Sequence, residues 1–345
     1  MRGKTRRRTF LKRSALLGGT LAIGTTGVQA QETTTTPGDQ QTLQTVLSVP
    51  SLEFTFFVRM QNAFEEATQN QNLNGSFLDG QNSQSKQISD LETAVTNDVD
   101  FIMVSPITAE GIVPAIEQAN DADIPVVTID RNVAQGEVAT YVASQNVQLG
   151  QRSSSLLLEF MQQRADQDTY SIVELQGTQG ASVTNDRAEG LQQTLNENDN
   201  MELLGSQTGE FQTSAALSTM EDFITRFGDD IDGVYAQNDL MALGAFRALG
   251  NAGRGDVPVT GIDGSEAWVE TFPDNQYHGT IAQLPEEMVF RSIEAGRTAV
   301  QGGDLPDFIP IEGRQVTQEN AEQYLQEFFG DGMTTTTEQT TTTPS

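Results

Sequence analysis

Between residues 42 and 328, short aliphatic and β-branched runs alternate with longer stretches in which apolar residues recur three and four positions apart. The short runs predict strands over 42–49, 76–78, 101–104, 126–129, 170–175, 201–206, 234–236, 257–261 and 280–282. The longer ones predict amphipathic helices over 57–69, 85–96, 109–119, 147–163, 186–196, 215–227, 240–249 and 286–301. A strand followed each time by a helix predicts an α/β protein whose parallel sheets are covered by helices. At 345 residues the chain exceeds the roughly 100–200 of a usual domain, which predicts two lobes rather than one.

In sheets of this kind a ligand lies beyond the carboxyl ends of the strands, so the polar residues that follow each strand form the candidate site. They are Ser105, Asp130, Arg131, Asn238, Asp239, Asp263 and Gln283. Carboxylates, amides and an arginine together suit a neutral polyhydroxylated ligand. The Asp side chains accept hydroxyl protons, while Arg and amide N–H groups donate to ring and hydroxyl oxygens in planar pairs. Phe54, Phe56 and Phe57 stand directly after the first strand, where they can cover the apolar C–H faces of such a ligand. Taken singly, each of these residues equally fits a helix cap or a core position. Their recurrence at five strand ends is what marks a site.

Composition narrows the function. The chain holds 48 Asp and Glu against 19 Lys and Arg, for a net charge of −29. Arg2, Lys4, Arg6, Arg7, Arg8, Lys12 and Arg13 crowd into the first 30 residues with no acidic partner, so the body is more acidic still, and Lys86 is its only lysine. Such a surface repels nucleic acid and anionic membranes. It resembles the carboxylate-rich surfaces of halophilic proteins, whose self-repulsion is screened by salt. With one histidine, His278, no cysteine, and no GxSxG, P-loop or GxGxxG after a strand, nothing points to an enzyme or a cofactor. Asp229, Asp230 and Asp232 lack the spacing of a calcium loop and read as a solvated turn, so no metal is expected. Gly250, Gly253 and Gly255 read as a helix cap and loop.

The segment Arg7-Arg8-Thr9-Phe10-Leu11-Lys12, an apolar run from Ala15 to Val28 and the small-residue end at Ala30 resemble a twin-arginine export signal over 1–30. A permanent membrane anchor is the competing reading, but the run is shorter than the ~20 apolar residues a span needs. Thr-rich stretches at 31–41 and 331–345 read as a linker and a tail. Without cysteine there is no disulfide framework and no thiol to carry a lipid. The protein is therefore expected outside the cytoplasm, secreted or held at the cell surface by other means.

At Ile129-Asp130-Arg131 and at Ala236-Gln237-Asn238-Asp239-Leu240-Met241-Ala242-Leu243-Gly244-Ala245 the sequence resembles the ribose-binding branch of the type I periplasmic binding proteins. Phe56-Phe57-Val58, Glu174-Leu175-Gln176-Gly177, Gly261-Ile262-Asp263-Gly264 and Thr280-Ile281-Ala282-Gln283-Leu284-Pro285 extend the resemblance, in the family's order, over roughly 42–312. It implies two doubly wound α/β/α lobes joined by a three-segment hinge, one from 42–144 plus 284–312, the other from 145–283 plus 313–330. The implied molecule is a monomer without cofactor that closes on a sugar and is then recognised by the permease of an ABC transporter. A sensory receptor closing in the same way fits the same residues. The resemblance gives stacking roles to Phe57 and Phe211 with Phe56 beside them, and hydrogen-bonding roles to Asp130, Arg131, Arg187, Asn238, Asp263 and Gln283. Arg187 falls at a predicted helix start. The sequence departs from the family at the first-lobe edge: Glu53 or Phe54 stands where an asparagine is expected, Ser105 replaces another, and Ile262 replaces a phenylalanine. These departures leave ribose, another pentose, a hexose and a furanosyl compound all open as ligands.

Overall fold

Strands form where aliphatic runs can be buried on both faces, and the runs at 101–104, 126–129 and 233–236 are buried at every position, as a helix-covered parallel sheet requires. The computed structural model describes residues 42–330 except 71; the expected export signal, Thr-rich linker and Thr-rich tail lie outside the described residues. The chain opens with β1 (Leu43–Val49), α1 (Thr55–Asn70), β2 (Leu73–Asp79), α2 (Gln84–Thr96), β3 (Phe101–Val104), α3 (Val113–Asp121), β4 (Val126–Ile129) and β5 (Thr140–Ser144). It continues with α4 (Asn146–Arg164), β6 (Tyr170–Gln176), α5 (Ser182–Glu197), β7 (Met201–Thr208), α6 (Thr213–Phe227) and β8 (Gly233–Ala236). Then come α7 (Asp239–Asn251), β9 (Val259–Asp263), α8 (Glu266–Val269), β10 (His278–Ala282), α9 (Pro285–Val300), β11 (Phe308–Ile311), β12 (Arg314–Thr317) and α10 (Ala321–Phe329).

Two six-stranded sheets result. The first has the order β11-β5-β4-β3-β1-β2 with every pairing parallel. The second has the order β12-β10-β9-β8-β6-β7 and is parallel except where β12 runs antiparallel to β10. Both are doubly wound, with the strand order reversing between β1 and β3 in one and between β6 and β8 in the other. At such a reversal the loops leave in opposite directions and open a crevice beyond the strand ends. The chain passes between the lobes three times: from β5 into α4, which packs on the second sheet, from β10 into α9, which packs back on the first, and from β11 into β12.

The lobes touch on both flanks of the crevice. On one side Ala109 N donates to Gly180 O (2.9 Å) and Asn132 N donates to Ser182 Oγ (2.9 Å). On the other, Arg59 of α1, held by a two-pronged pair with Glu286 of α9 in the same lobe (2.7 and 2.9 Å), faces α10 of the second lobe. The same guanidinium lies 5.8 and 5.4 Å from the ring centres of Phe328 and Phe329 at the end of α10. The crevice is closed.

β5, β11, β12, α8 and α10 were not among the expected elements, and several of the others differ from expectation for a local reason. The helix expected from Ala109 begins at Val113, because Ala109 N is spent on Gly180 across the crevice and Pro114 suits the first turn. The strand expected over 257–261 lies two residues later, since Pro258 has no N–H for a ladder. Asp263 is therefore the last residue of β9 rather than two residues beyond it. Gly250 sits in the last turn of α7, and the left-handed turn that follows is made by Gly253, φ 73°. Arg187 stands in the second turn of α5, which starts five residues earlier at Ser182.

Candidate binding cleft

The crevice is lined from both lobes by residues at strand ends and by the helices that start there. Phe54, Phe56 and Phe57 come from the turn into α1, and Asp130 and Arg131 from the end of β4. Across from them stand Val183 and Arg187 of α5, Phe211 after β7, Asn238 after β8, Asp263 at the end of β9 and Gln283 after β10. Together they line one cleft between the lobes.

The second-lobe wall is polar and braced from behind. Arg187 donates through Nε to Asn146 Oδ1 (3.0 Å) and through Nη1 to the carbonyl of Gln237 (2.6 Å), and its Nη2 lies 3.7 Å from Asp263 Oδ1. This grip depends on the close crossing of α4 and α5: Gly150 lies against the backbone of Arg187, and Gly190 against that of Val147, with no room for a Cβ at either. Gln283 Nε2 donates to Asp263 Oδ1 (2.8 Å), while its Oε1 is buried with no hydrogen-bond partner among the described residues. Asn238 caps α7 by accepting from Met241 N (2.9 Å) and keeps its amide N–H group on the cleft side, 3.4 Å from the Phe211 carbonyl. Behind Asp263 lies Asp239, which accepts from Thr280 Oγ1 (2.7 Å) and Ser265 N (2.6 Å). Burial, and then the Asp263 carboxylate, raise Asp239 to about 7. Burial raises Asp263 to about 6 against the opposing pull of Arg187 and Gln283.

The first-lobe wall is aromatic around one ion pair. Asp130 Oδ2 accepts from Ser105 Oγ (3.3 Å) and lies 3.7 Å from Arg131 Nε, which is buried and makes no hydrogen bond of its own. Arg131 Nη1 points to the carbonyls of Pro106 and Ile107 (3.4 and 3.3 Å). Burial raises the Asp130 carboxyl above its usual range, with Arg131 and Arg187 pulling the other way, and lowers Arg131 to about 10. The Arg131 guanidinium lies 5.5 Å from the Phe57 ring centre and 5.3 Å from that of Phe211. Phe54 and Phe56 meet Phe57 edge to face, at 6.1 and 5.3 Å.

Three of the nine non-glycine residues at positive φ among the described residues line the cleft. They are Asp130 (φ 61°), Phe211 (φ 58°) and Asp263 (φ 127°). Each costs of order 1–3 kcal/mol and persists only where the surroundings hold it. Three such residues facing one cavity aim side chains that relaxed backbone would not.

Residues 45–304 match the periplasmic binding protein domain. The chain belongs to the periplasmic binding protein family. It is 31% identical to the ribose import binding protein of Escherichia coli (strain K12) over 273 residues, 79% of this chain and 90% of the other. Among solved structures it resembles the periplasmic component of the arabinose ABC transporter of Shewanella sp. ANA-3, bound to L-arabinofuranose (28% identity, TM-score 0.77, covering 82% of this chain and 95% of that one). It also resembles an ABC transporter solute binding protein of Bacillus halodurans C-125 with bound myo-inositol (29% identity, TM-score 0.76, covering 83% and 98%). The two lobes have the fold of the type I members.

In this binding protein four of the residues singled out in the sequence stand away from the cavity, Asp239 behind Asp263 among them. Ser105 is fully buried beneath Asp130 and reaches the cleft only through that carboxylate. Its own carbonyl is held by the amide of Gln87 (2.9 Å). Glu53 turns outward and accepts from Asn82 Nδ2 (3.1 Å). Ile262 precedes Asp263 on β9 and so faces the other side of the sheet, where it packs with Leu149 and Ile281. Conversely, Val183 lines the cavity, and Asn146 and Gln237 hold Arg187, although none of the three was a candidate. Gln237 carried a signal, since it immediately precedes Asn238. Val183 and Asn146 carried none.

Proposed function

We propose that the protein is the extracytoplasmic receptor of an ABC importer and binds one neutral monosaccharide between its lobes, with ribose or a close relative as the leading cargo. The observation that carries this reading is the facing of two carboxylates, two guanidiniums and two amides against phenylalanine rings across one cleft. Asp130, Asp263 and Gln283 Oε1 offer acceptors for hydroxyl protons, and Arg131 Nε and the Asn238 amide offer donors. Two Asp and two Arg leave the site close to neutral, so a sugar is favoured over a sugar phosphate or an acid, whose charge would go unmatched once water is expelled. The ligands of the relatives, ribose, arabinofuranose and myo-inositol, are all compact polyhydroxylated rings, and their variety supports the class more than any one member.

Binding and closure are one event in this reading. Residues from both lobes must converge on the ligand, so the ligand stabilises the closed form, and the closed form is what the permease takes up. Export of the folded monomer through a twin-arginine signal, and work in strong salt, follow from the N-terminal segment and from the excess of acidic side chains. Calorimetric titration of the protein in molar salt with ribose, xylose, glucose, galactose and a furanosyl sugar tests the proposal. Binding of at least one is expected, and no heat with any of them would sink it.

A further inference from the structure

The two walls of the cleft offer a sugar different things. Every side chain of the second-lobe wall except Val183 and Phe211 carries a hydrogen-bonding group, whereas the turn that leads into α1 presents only rings. Around Phe54 each polar side chain is spent elsewhere. Ser51 Oγ accepts from Glu53 N (3.1 Å), Glu53 is tied outward to Asn82, and Asp79 accepts from Leu52 N (3.3 Å) and Gln81 N (2.9 Å). Ser105 is spent on Asp130. Phe54 itself is 4% exposed, and its carbonyl starts α1 by accepting from Phe57 N (2.9 Å), which fixes the residue's place in the turn.

The ring planes decide what this wall can do. Phe54 and Phe57 are inclined at 64° and Phe56 and Phe57 at 78°. A sugar ring is nearly flat and can lie parallel to only one of these planes, so the others meet its rim. Hydroxyl groups radiate from that rim. Phe57 and Phe211 already share the Arg131 guanidinium, which leaves Phe54 and Phe56; of these Phe56 belongs to the first turn of α1, and Phe54 stands in the loop before it, where the neighbouring polar side chains Ser51, Glu53 and Asp79 are already engaged. A hydroxyl brought against Phe54 would be buried with no partner, and burying an unpaired hydroxyl is costly.

We propose that Phe54 is a specificity-determining residue. It selects sugars whose end toward the first lobe lacks a terminal hydroxyl, that is pentopyranoses and 6-deoxyhexoses, and it rejects the hexoses and pentofuranoses that bear one there. This rests on the reading of the cleft as a monosaccharide site and names the subclass that enters.

Two matched pairs test it by calorimetry: D-galactose against D-fucose, which differ by one terminal oxygen, and D-glucose against D-xylose, which differ by the terminal CH2OH. The sugar without the hydroxyl is expected to bind at least about tenfold tighter in whichever pair binds, equivalent to about 1.4 kcal/mol. Phe54→Asn, which supplies a donor and an acceptor, is expected to shrink that preference to within about twofold. Phe54→Leu, apolar but not aromatic, is expected to keep it, which separates selection from simple loss of packing. Equal or tighter binding of the hexoses by the unaltered protein would overturn the assignment while leaving the receptor reading intact. So would a uniform loss across all four sugars in Phe54→Asn. Binding of ribose but of none of these four sugars would also overturn the assignment alone, and absence of binding by ribose and by all four would overturn both.

Discussion

On the second-lobe side of the cleft, Arg187, Asn238, Asp263 and Gln283 are each held by a hydrogen bond to another residue of that lobe. On the first-lobe side, Phe54, Phe56 and Phe57 hold one another edge to face, and only Asp130 and Arg131 are polar. Both walls arise from the same rule, that loops at the carboxyl ends of a doubly wound sheet open into a crevice. They nonetheless fail differently when cut. A polar lattice loses a member and strands its neighbours as buried unpaired groups, so it governs affinity. An aromatic wall loses a ring and mainly changes shape, so it governs which ligand is admitted.

Arg187→Ala tests the polar wall most severely. It leaves Asn146, the Gln237 carbonyl and Asp263 without their donor, and breaking a buried charged pair costs about 3–5 kcal/mol. Titration with the sugar bound by the unaltered protein is expected to show a loss of at least about a hundredfold. A change under tenfold would mean that Arg187 only braces the fold. Arg59→Ala acts outside both walls. It removes a guanidinium that is paired to Glu286 in one lobe and lies over Phe328 and Phe329 of the other. Losing about 1 kcal/mol of cation–π attraction in the closed form is expected to weaken every sugar about fivefold. Selectivity should stay unchanged; an altered order of preference would place Arg59 with the aromatic wall.

The smallest effect is on pH dependence. Asp239 at about 7 and Asp263 at about 6 both stand above their ordinary value of 3.8, so between these values the native state holds protons that the unfolded chain has released. Their contribution to stability is full below the unfolded value and is lost as pH rises through about 6 and 7. The melting temperature of the ligand-free protein is expected to fall between about pH 5 and about pH 8 for this reason. In Asp263→Asn, which removes one carboxyl and the repulsion it exerts on Asp239, the fall should be shallower. An equal fall would assign the slope to the general excess of surface carboxylates.

The interior of the fold was legible in the sequence because its strands are uninterrupted aliphatic runs, as at Phe101–Val104 and Val126–Ile129, where expected and observed bounds coincide. Of the interior strands β5 was not expected, and of the edge strands β11 and β12 were not, whereas β2 and β7 were. β11 carries Pro310 and is half exposed, and β12 is a four-residue antiparallel strand; at an edge, tertiary pairing decides what the local pattern leaves open. The site was legible as positions, since the residues after β4, β8 and β10 all reach the cleft. Side-chain direction was not legible. A two-residue displacement of β9 put Asp263 within the strand and Ile262 on its opposite face. The outward turn of Glu53 depends on Asn82, a partner 29 residues away in sequence.

A crystal structure of the protein grown with the pentose or 6-deoxyhexose that titrates tightest tests the central claim most directly. The account predicts one sugar ring enclosed between the lobes, its hydroxyls on Asp130, Asp263, Gln283 and Arg187 and its hydrogen-bearing end against Phe54. A sugar seated outside these residues, or a terminal hydroxyl turned toward Phe54, would contradict it.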